Sequence, residues 1–360
     1  MGEAQHPSIQ RASNKAYDPE RHDLPGLARS IEALMLRRQR MSLLLGVLAV
    51  LVATVLGLRQ WLLYREGPPP PPESFDGDVY TVGKAAIAER RCENPRATVI
   101  GMHGFVGDLR YFTDHYRDPD LQLILLTSCD YHLPITQPRY KTAPWVKVPT
   151  QEEGSIAYDA AVLVQALEHL PRTQRIRVHG HSRGGAVILE AAALRPDLFK
   201  QVEVVLEAPV LPQARPYVPT TATQRWFLPF VLPLWQREPI SRRNRGAWGP
   251  LENTRKRELI TAFPFNPKRV ATMAANLKEL DSWMKARDVS LYQNLARGTV
   301  LVPGKDRVLD THSMLESAQK AGPALNVVKL DGCSHFVIWD RPDALPTLER
   351  SEAAREALAS

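Results

Sequence analysis

Residues 177–188 read RVHGHSRGGAVI. A β-branched run ends near His179, a helix-like run begins near Gly184, and between them Ser182 stands in the pattern G-x-S-x-G with Gly180 and Gly184 at its ends. Few backbone paths suit that arrangement. A residue held in a sharp strand-to-helix turn has strained angles and close neighbours on both sides, and flanking glycines remove the Cβ atoms that would collide. The turn lifts the serine Oγ above the end of the strand. It also sets the hydroxyl at the N-terminus of the following helix, where the dipole favours developing negative charge.

The surroundings agree with such a turn. Short apolar runs at 97–102, 121–127, 176–179, 202–206, 299–302 and 327–330 alternate with helix-length segments at 156–170, 184–194, 314–321 and 344–358. Strands separated by helices predict an α/β fold, a mostly parallel central sheet flanked by helices. Right-handed crossovers then bring every strand's carboxyl end to one edge, where ligands bind. A chain of 360 residues, 44% hydrophobic, has enough apolar material for one large core with extensions. The net charge of +7 permits an anionic partner. No zinc-type cysteine spacing or basic, aromatic-interleaved motif accompanies it, so no nucleic-acid partner is expected.

A serine hydroxyl is a weak nucleophile unless a base and an orienting acid attend it. The acid is expected just past a later strand. GTVLVPGKDRVLD offers Asp306 there, with Asp310 four residues on as a helix N-cap. The base is expected after the last strand, where VVKLDGCSHFVIWD offers His335. The chain order Ser182, Asp306, His335 suits a nucleophile-first triad. Cys333 lies two residues before His335 but lacks such a turn, and reads as loop packing. Two backbone amides should hold the oxyanion: that of Arg183, beside the nucleophile, and that of Phe105 in the His103-Gly104-Phe105 loop after 97–102. This chemistry needs no metal or cofactor.

Together GHSRGG, the HGF loop, GKDR and GCSHF resemble the α/β-hydrolase superfamily in its esterase/lipase-like branch, over residues 77–358 less an insertion. The resemblance implies that Ser182, Asp306 and His335 form the triad and that Phe105 supplies an oxyanion amide. GKDR is one residue shorter than the family's usual glycine-to-acid spacing. The implied function is a serine hydrolase of carboxylic esters, lipid or other hydrophobic acyl esters included. Acyl transfer on the same fold and an inactive tethered binding protein are the alternatives, because the fold alone does not fix the chemistry.

Ahead of the globule, residues 41–58 read MSLLLGVLAVLVATVLGL, without a charge. At about 1.5 Å per residue they reach nearly across a bilayer core. A membrane anchor is expected over 41–64, extended by Trp61, Leu62, Leu63 and Tyr64. Arg29, Arg37, Arg38 and Arg40 precede it, while Arg59 and Arg65 follow, which points to a cytoplasmic tail at 1–40 and a catalytic domain on the non-cytoplasmic side. Within that tail 1–23 is polar, and 24–40 suits a surface helix with Leu27, Ile31, Leu34 and Met35 along one side. Five prolines, Pro68 to Pro72, make 65–76 a stiff linker, extending about 15 Å as polyproline II. The hydrolase core is expected over 77–210 and 298–360, and a cap over 211–297. The cap carries fifteen Lys and Arg against six Asp and Glu. Its aromatics Trp226, Phe227 and Phe230 and its Arg242, Arg243 and Arg245 suit a lid facing anionic lipid. They equally suit a soluble cap with a small core of its own.

Overall fold

The computed structural model describes residues 24–348 apart from 243 and 263–265. Arg243 and most of the helix expected over 344–358 therefore lie outside the described residues. The part of that segment within them holds only a short 3₁₀ turn, Pro342–Ala344, and is not helical beyond it. Pro346 explains this, since it lacks an amide hydrogen and disfavours helix in the residue before it.

The chain forms two units, one up to Leu58 and one from Arg59. The described residues of the first lie in helix α1, Leu24–Tyr64, whose last residues belong to the second unit. The surface helix and the span expected as separate pieces are thus one uninterrupted helix. From Gly26 to Tyr64 it is long and apolar enough to cross a membrane, with a mean hydropathy of 2.6 in its most apolar window.

The second unit is built on a nine-stranded sheet. Its strands are β1 Asp78–Val82, β2 Ala85–Arg90, β3 Ala97–Met102, β4 Leu121–Thr127, β5 Arg139–Lys141, β6 Ile176–His181, β7 Glu203–Glu207, β8 Arg297–Pro303 and β9 Leu325–Leu330. They lie in the order β5-β1-β2-β4-β3-β6-β7-β8-β9. From β4 to β9 every pairing is parallel, while β2 is antiparallel to both β1 and β4. The β1–β2 loop is Gly83-Lys84, with Gly83 at φ +60°, a glycine-first loop that suits the twist of a hairpin.

Helices in chain order are α2 Arg110–Thr113, α3 Ile156–His169, α4 Arg183–Leu194, α5 Ala222–Arg237, α6 Arg245–Trp248, α7 Thr254–Ala262, α8 Val270–Ala286, α9 Thr311–Gln319 and α10 Val337–Asp340. Alternation along the strands divides the core into two layers. Ile100, Ile124, Leu206 and Val300 pack with α3, α4 and α9, whereas Val99, Leu123, Val205 and Leu301 pack with α2, α10 and cap residues such as Leu259 and Met273. Helices α5 to α8 occupy the expected cap segment.

The proline-rich linker is docked along the globule as a strap. The amide of Gly67 donates to the Lys268 carbonyl at 2.7 Å, Pro70 is buried, and the Pro71 carbonyl accepts from Arg110 Nη1 at 2.9 Å. Glu73 then grips the Arg255 guanidinium with both carboxylate oxygens, at 2.6 and 2.5 Å. Proline carbonyls in an extended run have no partners of their own, so they are free to accept from a neighbouring surface. Just before the strap, Leu62 and Leu63 are buried.

Candidate active site

Strand β6 ends at His181 and α4 begins at Arg183, so Ser182 is the single residue of the turn. Its backbone sits at φ +52° and ψ −116°, a conformation that L-residues avoid and that costs of order 1–3 kcal/mol. Hydrogen bonds hold it there. The Ser182 amide donates to the Glu207 carbonyl at 2.9 Å, and its own carbonyl accepts from Gly185 and Val210, each at 2.9 Å. A Cβ on Gly184 would come within 2.1 Å of the Met102 carbonyl oxygen, and one on Gly180 within 2.6 Å of Gly184. The glycines are therefore required where the sequence placed them.

The His103-Gly104-Phe105 loop leaves β3 against this turn. A Cβ on Gly104 would lie 2.9 Å from that of Ser182. Ser128 donates its amide to His103 Nε2 at 3.1 Å, which fixes the proton on Nδ1, and Nδ1 binds the Gly104 carbonyl at 2.8 Å. The amide of Arg183, first in its helix, has no intrahelical acceptor. Neither it nor the Phe105 amide has a hydrogen-bond acceptor among the described residues.

Asp306 follows β8 and His335 follows β9. The carboxylate Oδ2 lies 2.7 Å from His335 Nδ1, both side chains being buried. The other oxygen accepts the amides of Val308 and Leu309 at 2.7 and 3.1 Å, which aims the carboxylate. Asp310 stands apart: it caps α9, accepting from the Ser313 amide at 2.8 Å. Cys333 is buried, and burial pushes its thiol above the usual range, so it does not offer a thiolate. Ser182, His335 and Phe105 line one cavity of about 300 Å³. The cap supplies much of its apolar wall through Trp235, Trp248, Leu280 and Met284.

Behind the turn is a buried network that the motif reading missed. His181 stacks on Tyr111, rings 4.2 Å apart and 15° from parallel, and its Nε2 donates to the His335 carbonyl at 3.0 Å. Tyr111 donates to Glu207 Oε1 at 2.6 Å, an oxygen that also accepts the Ile338 amide at 2.9 Å. His179 Nε2 bonds Glu207 Oε2 at 3.2 Å, and its Nδ1 lies 2.9 Å from the Tyr116 hydroxyl. Burial alone would raise the Glu207 carboxyl, but these donors outweigh it and hold it at about 2. Desolvation pushes His181 down to about 3, so it is neutral at ordinary pH. The signal available in sequence was slight: a histidine inside the serine motif and a glutamate closing an apolar strand. Arg183 was read for its amide alone. Its side chain is buried too, paired with Asp159, with Nη1 3.3 Å from Ser128 Oγ and Nη2 3.0 Å from the Gly154 carbonyl.

These groups predict acid lability. His181 and His115, the latter lowered to about 4 mainly by burial, refuse protons that the unfolded chain accepts from about 6.5 downward. Glu207, below its ordinary 4.5, adds a third such proton between about 4.5 and 2. In each case the unfolded state binds more protons, so stability falls with pH, by about 1.4 kcal/mol per pH unit per proton. Melting temperature should decline steadily from pH 6.5 toward 3. His115→Phe, which keeps a ring against Trp339, should flatten the part above pH 4; an unchanged slope would count against this account.

The profile of the alpha/beta hydrolase family matches residues 149–345, more than half of the chain. The chain belongs to the alpha/beta hydrolase family. It is a hydrolase of this fold, with a strand-turn-helix serine and a capped cavity at the carboxyl edge of the sheet. Among solved structures, this α/β hydrolase is similar to a putative aryl esterase from Burkholderia cenocepacia, at 14% identity over 79% of this chain and 100% of that one, TM-score 0.54. It is similar to a thermophilic esterase from Thermogutta terrifontis, at 17% identity over 78% and 95%, TM-score 0.51. A bacterial membrane phospholipase A aligns at 18% identity over 92% and 97%, TM-score 0.49. At these identities the likeness is one of fold. No curated protein matches the chain significantly in sequence.

Proposed function

We propose that this α/β hydrolase cleaves carboxylic esters through an acyl-enzyme on Ser182. The Ser182 Oγ attacks the ester carbonyl carbon while His335 takes its proton at Nε2. Asp306 holds the Nδ1 proton and stabilises the imidazolium that forms. The carbonyl oxygen becomes an oxyanion between the amides of Phe105 and Arg183, each commonly worth about 3 kcal/mol in such a site. Collapse expels the alcohol, which takes the proton from His335. Water, deprotonated by the same histidine, then releases the acid and restores the serine. The observation that carries this reading is the 2.7 Å contact between Asp306 and His335, on a histidine that shares a cavity with Ser182.

The cavity walls favour an apolar acyl chain over a polar group. A hydrophobic ester, lipid included, is therefore the substrate class, and α1 is the single-pass anchor that keeps the enzyme at a membrane. The four arginines ahead of the apolar stretch support a non-cytoplasmic catalytic domain. A fluorophosphonate tests the chemistry directly. It should add one phosphonyl group to the full-length protein, on the peptide carrying Ser182, and block turnover of p-nitrophenyl esters in proportion. Labelling of another residue, or undiminished turnover after complete labelling, would reject the mechanism.

A further inference from the structure

The cap helices differ in what they turn outward. On α7 the exposed positions are Thr254, Arg257, Glu258 and Thr261, and on α8 they include Lys278, Ser282 and Lys285, as expected where a helix meets water. Helix α5 is built the other way. Its inner face is apolar, with Pro229 and Leu232 buried. Its outer face is apolar as well: Phe227, Val231 and Leu234, spaced i, i+4, i+7, are 49%, 53% and 64% exposed. From Trp226 to Gln236 there is no charged residue, and Arg225 and Arg237 bound the stretch.

We infer that the outer face of α5 is a lipid-contacting surface, seated in the headgroup and upper acyl region of the bilayer. This rests on the reading that α1 crosses that membrane. The second observation is where α5 is held. Arg59, near the end of α1, donates from Nε to the Trp226 carbonyl at 3.1 Å, and its guanidinium lies 5.3 Å from the centre of the Trp226 ring. One turn later Leu62 shares a small cavity of about 110 Å³ with Pro229 and Leu232 of α5. So the cap helix with an apolar outer face is fastened to the residues where the chain leaves its apolar helix. The remaining chemistry suits an interface. Trp226 and Phe227 pack edge to face at 4.7 Å, aromatics being favoured at headgroup level, and terminal arginines can extend to phosphates while their stems stay in apolar surroundings. The inner side of α5 supplies Trp235 to the catalytic cavity, so a lipid-seated α5 brings the wall of that cavity next to the acyl region.

The test uses full-length protein in nanodiscs of phosphatidylcholine with a minority of phosphatidylglycerol. In a Cys92→Ser background, Val231→Cys carries an environment-sensitive fluorophore, and Leu194→Cys, an exposed position on α4, carries it as the control. Phosphatidylcholine spin-labelled near the top of its acyl chain should quench the label at 231 at least twofold and leave the control unquenched. Iodide from the aqueous phase should do the reverse. Turnover of a short water-soluble ester, unchanged in both variants, reports that the site is intact independently of where α5 sits. If the label at 231 is as open to iodide as the control, the inference fails even when the enzyme is active. A blue-shifted label that neither quencher reaches would mean that a second copy of the chain covers α5, and would also overturn it.

Discussion

Asp306→Asn should lower kcat for a short ester by about ten-thousandfold, while Ser182→Ala should lower it by about a millionfold. The asparagine keeps the shape of the carboxylate and can keep the amides of Val308 and Leu309. What it loses is the charge and the acceptor that fix the His335 tautomer at 2.7 Å. The fall should therefore come without a change in melting temperature comparable to the loss of activity. Asp310→Ala provides the contrast. It removes the α9 cap, at a cost of about 1 kcal/mol, and should leave kcat close to wild type. Kinetics of the three variants decide the acid. Near-normal turnover by Asp306→Asn, with loss in Asp310→Ala, would reassign it.

The second large effect is on stability. Arg183 is fully buried beside Ser182, and its principal counter-charge is Asp159, buried as well. Asp159→Ala leaves a guanidinium in the core with Ser128 Oγ, one carbonyl and the more distant Glu279 at 3.7 Å. Breaking a buried pair on one side costs about 3–5 kcal/mol, whereas replacing both partners by apolar groups of similar volume is often near neutral. Asp159→Ala should thus lower the melting temperature by roughly ten degrees, and the pair Asp159→Leu with Arg183→Met should recover most of it. An Asp159→Ala protein that melts with wild type would show that the pair contributes little. Because Arg183 also opens α4, the single variant should lose turnover in parallel.

The parts of this fold that were legible in sequence are those where local chemistry and tertiary role agree. Strands β3 and β4 fall where their apolar runs place them, since both faces of each are covered. The serine turn was legible because glycine is the only residue that avoids the contacts at 180 and 184. Strand β2, AAIAER, was missed for the opposite reason. Alanine, glutamate and arginine favour helix, yet β2 sits between β1 and β4. Its Glu89 is buried with bonds from Tyr80, Gln122 and Arg91, partners scattered along the chain. Tertiary pairing overrode propensity there. The Glu207 network was hidden likewise, because its members come from β6, β7, α2 and α10 and no spacing connects them. The docking of the strap was not legible, because a run of prolines looks the same whether it is solvated or docked.

That strap, with the last turns of α1, belongs to the catalytic unit, which begins at Arg59. Glu73 holds Arg255 in the cap and approaches Arg110 in the core at 3.6 Å, while Leu62 lines a small cavity with Leu232 of α5 and Met273 of α8. A protease cutting between Tyr64 and Glu73 would not shed a finished enzyme into solution. It would strip away a structural part, leaving the buried faces of Leu232 and Met273 uncovered on the side where the chain had entered. The severed fragment should therefore be stickier than the intact chain, and cleavage at this point should lower turnover rather than leave it unchanged.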